Sequence, residues 1–387
     1  MNFLLQKSPH IHRKDSLMRM FLDVLIALFP TLVLAIVSYG FLAVRNWAVS
    51  VATMVLAEFV FVLIKNRIPY DGTKHTFAEQ FKAGASKFTV NNALAAIISG
   101  EIFALIMPPT ANPDGLMYAI LIVGAAVGMI LGKLVFGGTG NNIFNPAAVG
   151  MVFAKVCFGS RFVYPTTWYM SASTQVVTGG TVLTSLGNSD VAGVSHFIGQ
   201  FAHIGEYGLL DMFLGRMPGV LGEAFSITIL IGLVYLLIRR AIDWRVIVSF
   251  GGTFLGLMAL AGLIVCLNGS VQVGFFTFMV FQVLSGGLLF GMTFMLTDPV
   301  TMPINSPGRV LYGMAAALIV VLVRLFGGLP EGVVYAILIS NMLAPVMDYP
   351  KWSSSRFTLK KWIWVASIAA FGLLIVGLAM GFGGNVA

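Results

Sequence analysis

The sequence predicts an all-α, polytopic membrane protein, and three observations carry that prediction: a shortage of charge, apolar runs of spanning length, and basic residues gathered on one side of those runs. Of the 387 residues, 58% are hydrophobic and 10% charged. Soluble domains are about 25% charged, so this chain has too few polar side chains to wet a globule of its size. A soluble enzyme is excluded. The apolar runs fill most of the chain, which also excludes a single-helix anchor bearing a soluble domain.

At about 20 residues per span, the candidate spans fall near 20–43, 47–65, 90–108, 115–136, 147–160, 219–238, 246–267, 274–296, 310–327, 332–347 and 362–382. Those near 90–108, 147–160 and 332–347 are short or interrupted. Residues 1–19 are polar and basic, with Lys7, Arg13, Lys14 and Arg19, and no cleavable signal peptide is visible. Cys157 and Cys266 show no metal-ligand spacing and are read as small packing residues. The net charge of +8 points to loop orientation and a bilayer with anionic lipid, not to nucleic acid.

With the N-terminus in the cytoplasm and the sides alternating, only Arg45, Lys155, Arg161, Arg216 and Arg324 of the 23 basic residues fall outside. That is a strong positive-inside pattern. The chain then divides into a cytoplasmic segment 1–19, a first transmembrane repeat 20–160, an extracytoplasmic loop 161–218, a second repeat 219–350, and a linker with a further helix at 351–387. The long loop is rich in Ser, Thr and Gly and carries His196, His203 and Tyr207. Loops of this length are typically functional or disordered. Phe162, Tyr164, Trp168 and Tyr169 argue for an ordered loop packed on the membrane face.

The two halves echo each other. Gly132-Lys133-Leu134-Val135-Phe136-Gly137-Gly138 resembles Val323-Arg324-Leu325-Phe326-Gly327-Gly328, and Ser99-Gly100 before Pro108-Pro109 matches Ser285-Gly286 before Asp298-Pro299. Lys133 falls inside and Arg324 outside, as an inverted repeat requires. Gly and Pro punctuate any long membrane protein, so the echo alone leaves both readings open.

Ionisable side chains cost at least about 2.5–3.5 kcal/mol at mid-bilayer, and each needs a reason. Asp23 lies four residues after Arg19 and is read as its partner at the interface. Glu223 and Glu331 sit at outer span ends, within reach of water. Glu58 and Glu101 lie deeper, and each is a candidate to line an ion path or accept a proton. Asp298 follows a Gly-broken run. A carboxylate there can cap a half-helix or hold a cofactor group, because a broken helix leaves backbone N–H groups free.

The densest constellation is Phe136-Gly137-Gly138-Thr139-Gly140-Asn141-Asn142-Ile143-Phe144-Asn145-Pro146. Its glycines permit close backbone approach and positive φ. Its asparagines, Asn142 and Asn145 among them, supply donors and acceptors without charge. That suits a neutral heterocycle or a re-entrant loop, and equally a buried turn whose amides satisfy loose backbone groups. It matches neither a Walker loop nor a dinucleotide fingerprint.

Four stretches together resemble a known family: Ser8-Pro9-His10, the Phe-Gly-Gly-Thr-Gly-Asn-Asn-Ile-Phe-Asn-Pro loop, Thr297-Asp298-Pro299-Val300, and Phe326-Gly327-Gly328-Leu329-Pro330-Glu331-Gly332-Val333. They look like the NqrB/RnfD family of membrane flavoproteins, whose members serve the Rnf complex (RnfD) and the sodium-pumping NADH:quinone reductase (NqrB). The likeness runs from about residue 7 to about 350 and is nearer the Rnf member. It implies ten spans in two related five-helix halves, with the run at 362–382 as an extra span. It also implies FMN joined through its phosphate to a threonine within Asp-x-x-Ser/Thr-Gly/Ala-Ala-Thr. The matching stretch is Gln175-Val176-Val177-Thr178-Gly179-Gly180-Thr181, with Thr181 on the acceptor. Gln175 replaces the acid of the pattern and Gly180 its alanine.

The resemblance therefore implies an electron-carrying subunit of a redox-driven ion pump of the ferredoxin:NAD+ oxidoreductase type, in the bacterial inner membrane. Thr181 would hold the FMN, with Thr178, Gly179 and Gly180 cradling its phosphate, and a second flavin, riboflavin, would be bound without a covalent link. Asn142, Asn145 and Asp298 are the further cofactor candidates. No residue is given a catalytic or metal-ligating role, because the flavin does the chemistry. Other subunits and a flavin transferase are the implied partners, and the chain alone turns over nothing. Two rivals stand beside this reading: the quinone-reductase member of the family, and a non-redox transporter or channel on the same scaffold.

Overall fold

The computed structural model describes residues 17–68, 76–110, 115–162, 164–165, 178–179, 213–214, 219–222, 225–267, 275–326, 332–348 and 358–383. These are almost wholly helical. The first half holds α1 (Leu17–Tyr39), α2 (Phe41–Lys65), α3 (Phe77–Ala85), α4 (Val90–Ile106), α5 (Leu116–Met129) and α6 (Pro146–Phe158). The second holds α7 (Ser226–Arg239), α8 (Trp244–Leu267), α9 (Phe275–Leu284), the short α10 (Leu288–Phe290), α11 (Ser306–Phe326), α12 (Val333–Met347) and α13 (Leu359–Gly383). Every apolar run expected to span falls on one or more of these helices. Among the described residues, six helices are long and apolar enough to cross a membrane, or up to eight if each bent pair is one span. Ser226–Arg239 and Val333–Met347 are shorter apolar helices. Large apolar side chains such as Phe29, Leu56, Ile238, Val248 and Phe371 stand exposed, as a surface facing lipid tails requires.

Local sequence sets the breaks. Helix α3, which the apolar runs did not predict, starts at a capping box: the Glu79 carboxylate accepts the Thr76 backbone N–H at 3.0 Å. It meets α4 at 79°. In the second half, α9 and α10 are bent by 58° at Gly286 and Gly287, whose φ values of 71° and 66° suit glycine.

Two five-residue π-helical segments follow α5 and α10, at Ile130–Leu134 and Gly291–Met295. The wider turn is closed by Val135 N–H donating to Ile130 O at 3.0 Å and by Leu296 N–H donating to Gly291 O at 2.8 Å. Beside the first segment, α5 and α6 touch backbone to backbone. A Cβ on Gly128 would lie 2.5 Å from Pro146 O, and one on Gly132 would lie 2.8 Å from Pro146 Cα. This contact draws the 135–145 connection into the bundle.

Three expectations about side chains change. Asp23 pairs with Arg239 (3.1 Å) and accepts from Tyr235 (2.9 Å), not with Arg19; partners one helix turn apart in sequence lost to partners across the α1–α7 contact. Arg45 and Arg324, counted as charges at span ends, are buried. Each guanidinium satisfies backbone carbonyls: Arg45 donates to Thr110 O at 2.9 Å in the stretch after α4, and Arg324 to Gln282 O at 2.7 Å and Ser285 O at 2.8 Å at the end of α9. Cys157 is exposed at the end of α6 with a free thiol, so it is not a packing residue. Cys266, Glu223, Glu331, Gln175, Gly180 and Thr181 lie outside the described residues or side chains, as does most of the 161–218 loop.

Candidate functional site

One end of the bundle gathers the start of α1, the ends of α2 and α7, the first π segment, the 135–145 connection and residues 296–305. There the loop predicted to be special closes on α2. Gly137 and Gly138 hold φ values of 118° and 91°, and a Cβ on Gly138 would press on the Phe61 ring at 2.9 Å. The turn they make carries Thr139 to the buried Glu58, where Oγ1 donates to Oε1 at 2.8 Å. Asn92 Nδ2 donates to the same oxygen at 3.3 Å, and Lys133 Nζ lies 3.2 Å from Oε2. Lys65 Nζ donates to Gly137 O at 2.8 Å. Glu58 is thus the hub that pins the loop.

Next to this hub is a cleft. Met20, Phe21, Ile98, Ile102 and Phe294 supply apolar walls, and Lys133, Thr139, Asn142, Thr293 and Asp298 line it with polar groups. Asn142 Nδ2 approaches Asp298 Oδ2 at 3.5 Å, and Asp298 Oδ1 accepts the Val300 N–H at 3.1 Å. Asn145 caps α6, accepting from Ala147 and Ala148 N–H at 3.0 and 3.3 Å, while its Nδ2 reaches Met295 O at 3.5 Å. The three cofactor candidates Asn142, Asn145 and Asp298 therefore converge, from positions about 150 residues apart in the chain. Asn145 serves chiefly as a helix cap.

Small-ligand sites are concave, mostly apolar and furnished with a few placed polar groups, and the lining of this cleft has that character. Thr293 Oγ1 is buried without a hydrogen-bond partner among the described residues, and so is Lys133 Nζ beyond its ion pair with Glu58. Both donors belong to residues that line the cleft.

A second cleft, about 540 Å³, lies at the opposite end between α6, α10 and α12. Ile106, Met151, Phe290 and Val333 make it almost wholly apolar, and Lys155 stands at its edge. Close to it in sequence, Tyr164–Pro165 and Thr178–Gly179 pair as a two-residue antiparallel ladder, Tyr164 opposite Gly179 and Pro165 opposite Thr178. Thr178 and Gly179 of the expected phosphate cradle are thereby brought back toward the end of α6.

Sequence reading missed Lys133, Thr139 and Asn92 as partners of Glu58. Lys133 was legible only as a basic flank. The signal was present in the Gly-Gly-Thr turn, which had to bring some polar group to the helix before it.

Fold and site together define a polytopic helical membrane protein with a cleft of mixed polar and apolar lining set among broken helices. The NQR2, RnfD, RnfE family matches residues 4–354, and the chain belongs to that family. The D subunit of the proton-translocating ferredoxin:NAD(+) oxidoreductase complex of Clostridium ljungdahlii is 28% identical over 348 residues, covering 89% of this chain and 93% of the relative. The D subunit of an ion-translocating oxidoreductase complex of Haemophilus influenzae is 28% identical over 380 residues, covering 90% and 96%. The B subunit of the Na(+)-translocating NADH-quinone reductase of Pseudomonas aeruginosa is 33% identical over 276 residues, covering 70% of this chain and 63% of the relative.

Proposed function

We propose that this chain is the flavin-bearing, electron-transferring subunit of a redox-driven ion pump of the ferredoxin:NAD+ oxidoreductase type. The observation that carries the reading is the end-to-end match to D subunits of such complexes, over 89% and 90% of this chain. The quinone-reductase relative covers less of both chains, so that assignment is the second reading.

In this reading FMN is esterified through its phosphate to Thr181 on the extracytoplasmic loop, with the N-terminus in the cytoplasm of a bacterial inner-membrane protein. A flavin transferase makes the bond, and the other subunits pass electrons in and out. A Thr-Gly-Gly-Thr turn exposes the hydroxyl and lets backbone N–H groups face a phosphate. The second, non-covalent flavin belongs in the cleft lined by Asn142 and Asp298. Bound there, a flavin supplies one- and two-electron chemistry. The chain's own residues hold its ring: Met20, Phe21 and Phe294 exclude water from its faces, and Asn142, Lys133 and Thr293 meet its edge.

The inverted repeat of two five-helix halves is part of the proposal. It is supported by a broken third member in each half: α3 and α4 meet at 79°, and α9 and α10 are bent by 58°.

The test is direct. The purified protein, co-expressed with a flavin transferase and denatured on a gel, fluoresces under ultraviolet light, and Thr181→Ala abolishes the signal. A colourless parent band favours a non-redox transporter. Quinone reduction by the purified complex favours the second reading.

A further inference from the structure

Glu101 is the carboxyl group that nothing above employs. It is 4% exposed on α4, and among the described residues it makes no hydrogen bond or ion pair. The other deep carboxylates are engaged, Asp23 by Arg239 and Tyr235 and Glu58 by Lys133, Thr139 and Asn92. Charges on the elements packed against α4 are spoken for as well. Arg45 holds Thr110 O, Lys133 pairs with Glu58, Lys65 holds Gly137 O, Lys155 stands at the far cleft, and Arg19 lies at the outset of α1.

An isolated carboxylate in apolar surroundings costs several kcal/mol, so such a group is neutralised by a cation. A metal cation of the hard type needs several oxygen ligands at once, and among the described residues no group of three or more acidic, histidine or cysteine side chains gathers at Glu101. A proton needs none. Helix α4 lines both clefts, with Ile98, Ser99 and Ile102 on the polar one and Ile106 on the apolar one. At 1.5 Å per residue, Glu101 sits about 7 Å along the axis from Ile106.

We propose that Glu101, buried and unpartnered on the helix that borders both clefts, is a proton-carrying site inside the bundle, behind the cleft-lining face of that helix. Uptake adds one proton to a carboxylate oxygen and release returns it; only an O–H bond forms and breaks. The link to ion pumping rests on the function proposed above, whereas the protonated state of the group does not.

The first experiment needs no redox activity. The purified protein in lipid vesicles is treated with dicyclohexylcarbodiimide, which adds to carboxylic acids in apolar surroundings, and its peptides are weighed. Glu101 is expected to carry the adduct at least tenfold more than Glu58, with no protection by sodium ions, and Glu101→Gln to lose it. An unmodified Glu101, or protection that rises with sodium concentration, overturns the proposal. In the reconstituted complex, Glu101→Gln is expected to lower protons taken up per electron transferred at least tenfold, with partial recovery in Glu101→Asp. An unchanged ratio also overturns it. A parent complex without flavin or electron transfer would count against the redox function while leaving the labelling result intact.

Discussion

Glu58 and Glu101 sit at similar depth by sequence and in opposite company by structure. Around Glu58 the chain places an ammonium, a hydroxyl and a carboxamide; around Glu101 it places no polar partner among the described residues. Depth in a bilayer makes an acid expensive, but its surroundings decide what the acid is for. A carboxylate held by an ion pair on one oxygen and two hydrogen bonds on the other is a rivet. One with no partner has to find its counter-charge from outside the protein.

The sharpest way to break this contrast is to strand Glu58. Lys133→Met leaves a buried charge without its partner, and losing half of a buried pair costs about 3–5 kcal/mol. A drop in the thermal midpoint of the detergent-solubilised protein is expected, with most of it recovered by adding Glu58→Leu. Gly100 gives a smaller effect. A Cβ there would lie 2.7 Å from Val51 Cα, so Gly100→Ala pushes α4 off α2 at about 1–3 kcal/mol. Smaller again, Thr76→Ala removes half of the α3 capping box, at about 1 kcal/mol, visible as faster amide exchange confined to residues 77–82. Last, Glu101→Gln is expected to leave the thermal midpoint unchanged or slightly raised. A fall as large as that of Lys133→Met would show that Glu101 has a partner after all.

The helices were legible because apolar length is a local property, and each expected run became a helix. The break at Gly286-Gly287 and the turn at Gly137-Gly138 were legible too, since both glycines of each pair need positive φ. The α3 capping box was readable at Thr76 and Glu79, but nine residues of mixed polarity left no span-like run to prompt the reading. What stayed hidden was long-range. Nothing local joins Glu58 to Lys133, or Asn142 to Asp298 across 156 residues. Arg45 and Arg324 looked like loop charges because a tally of basic residues cannot tell a guanidinium in water from one buried against backbone carbonyls.

The π segment at Gly291–Met295 has a consequence for how this protein tolerates insertions and deletions. An α-helix advances about 100° per residue, and the wide turn works as a phase shifter placed just ahead of Asp298. Excising one residue from it and rewinding the stretch as an ordinary helix would nearly cancel, because the wide turn is what absorbs that residue. Excising one from the ordinary helical residues beside it would instead swing everything downstream by about 100°. Asp298 would then leave Asn142 without any side chain having been altered. At this point the spacing of the chain, more than its lettering, aims the carboxylate.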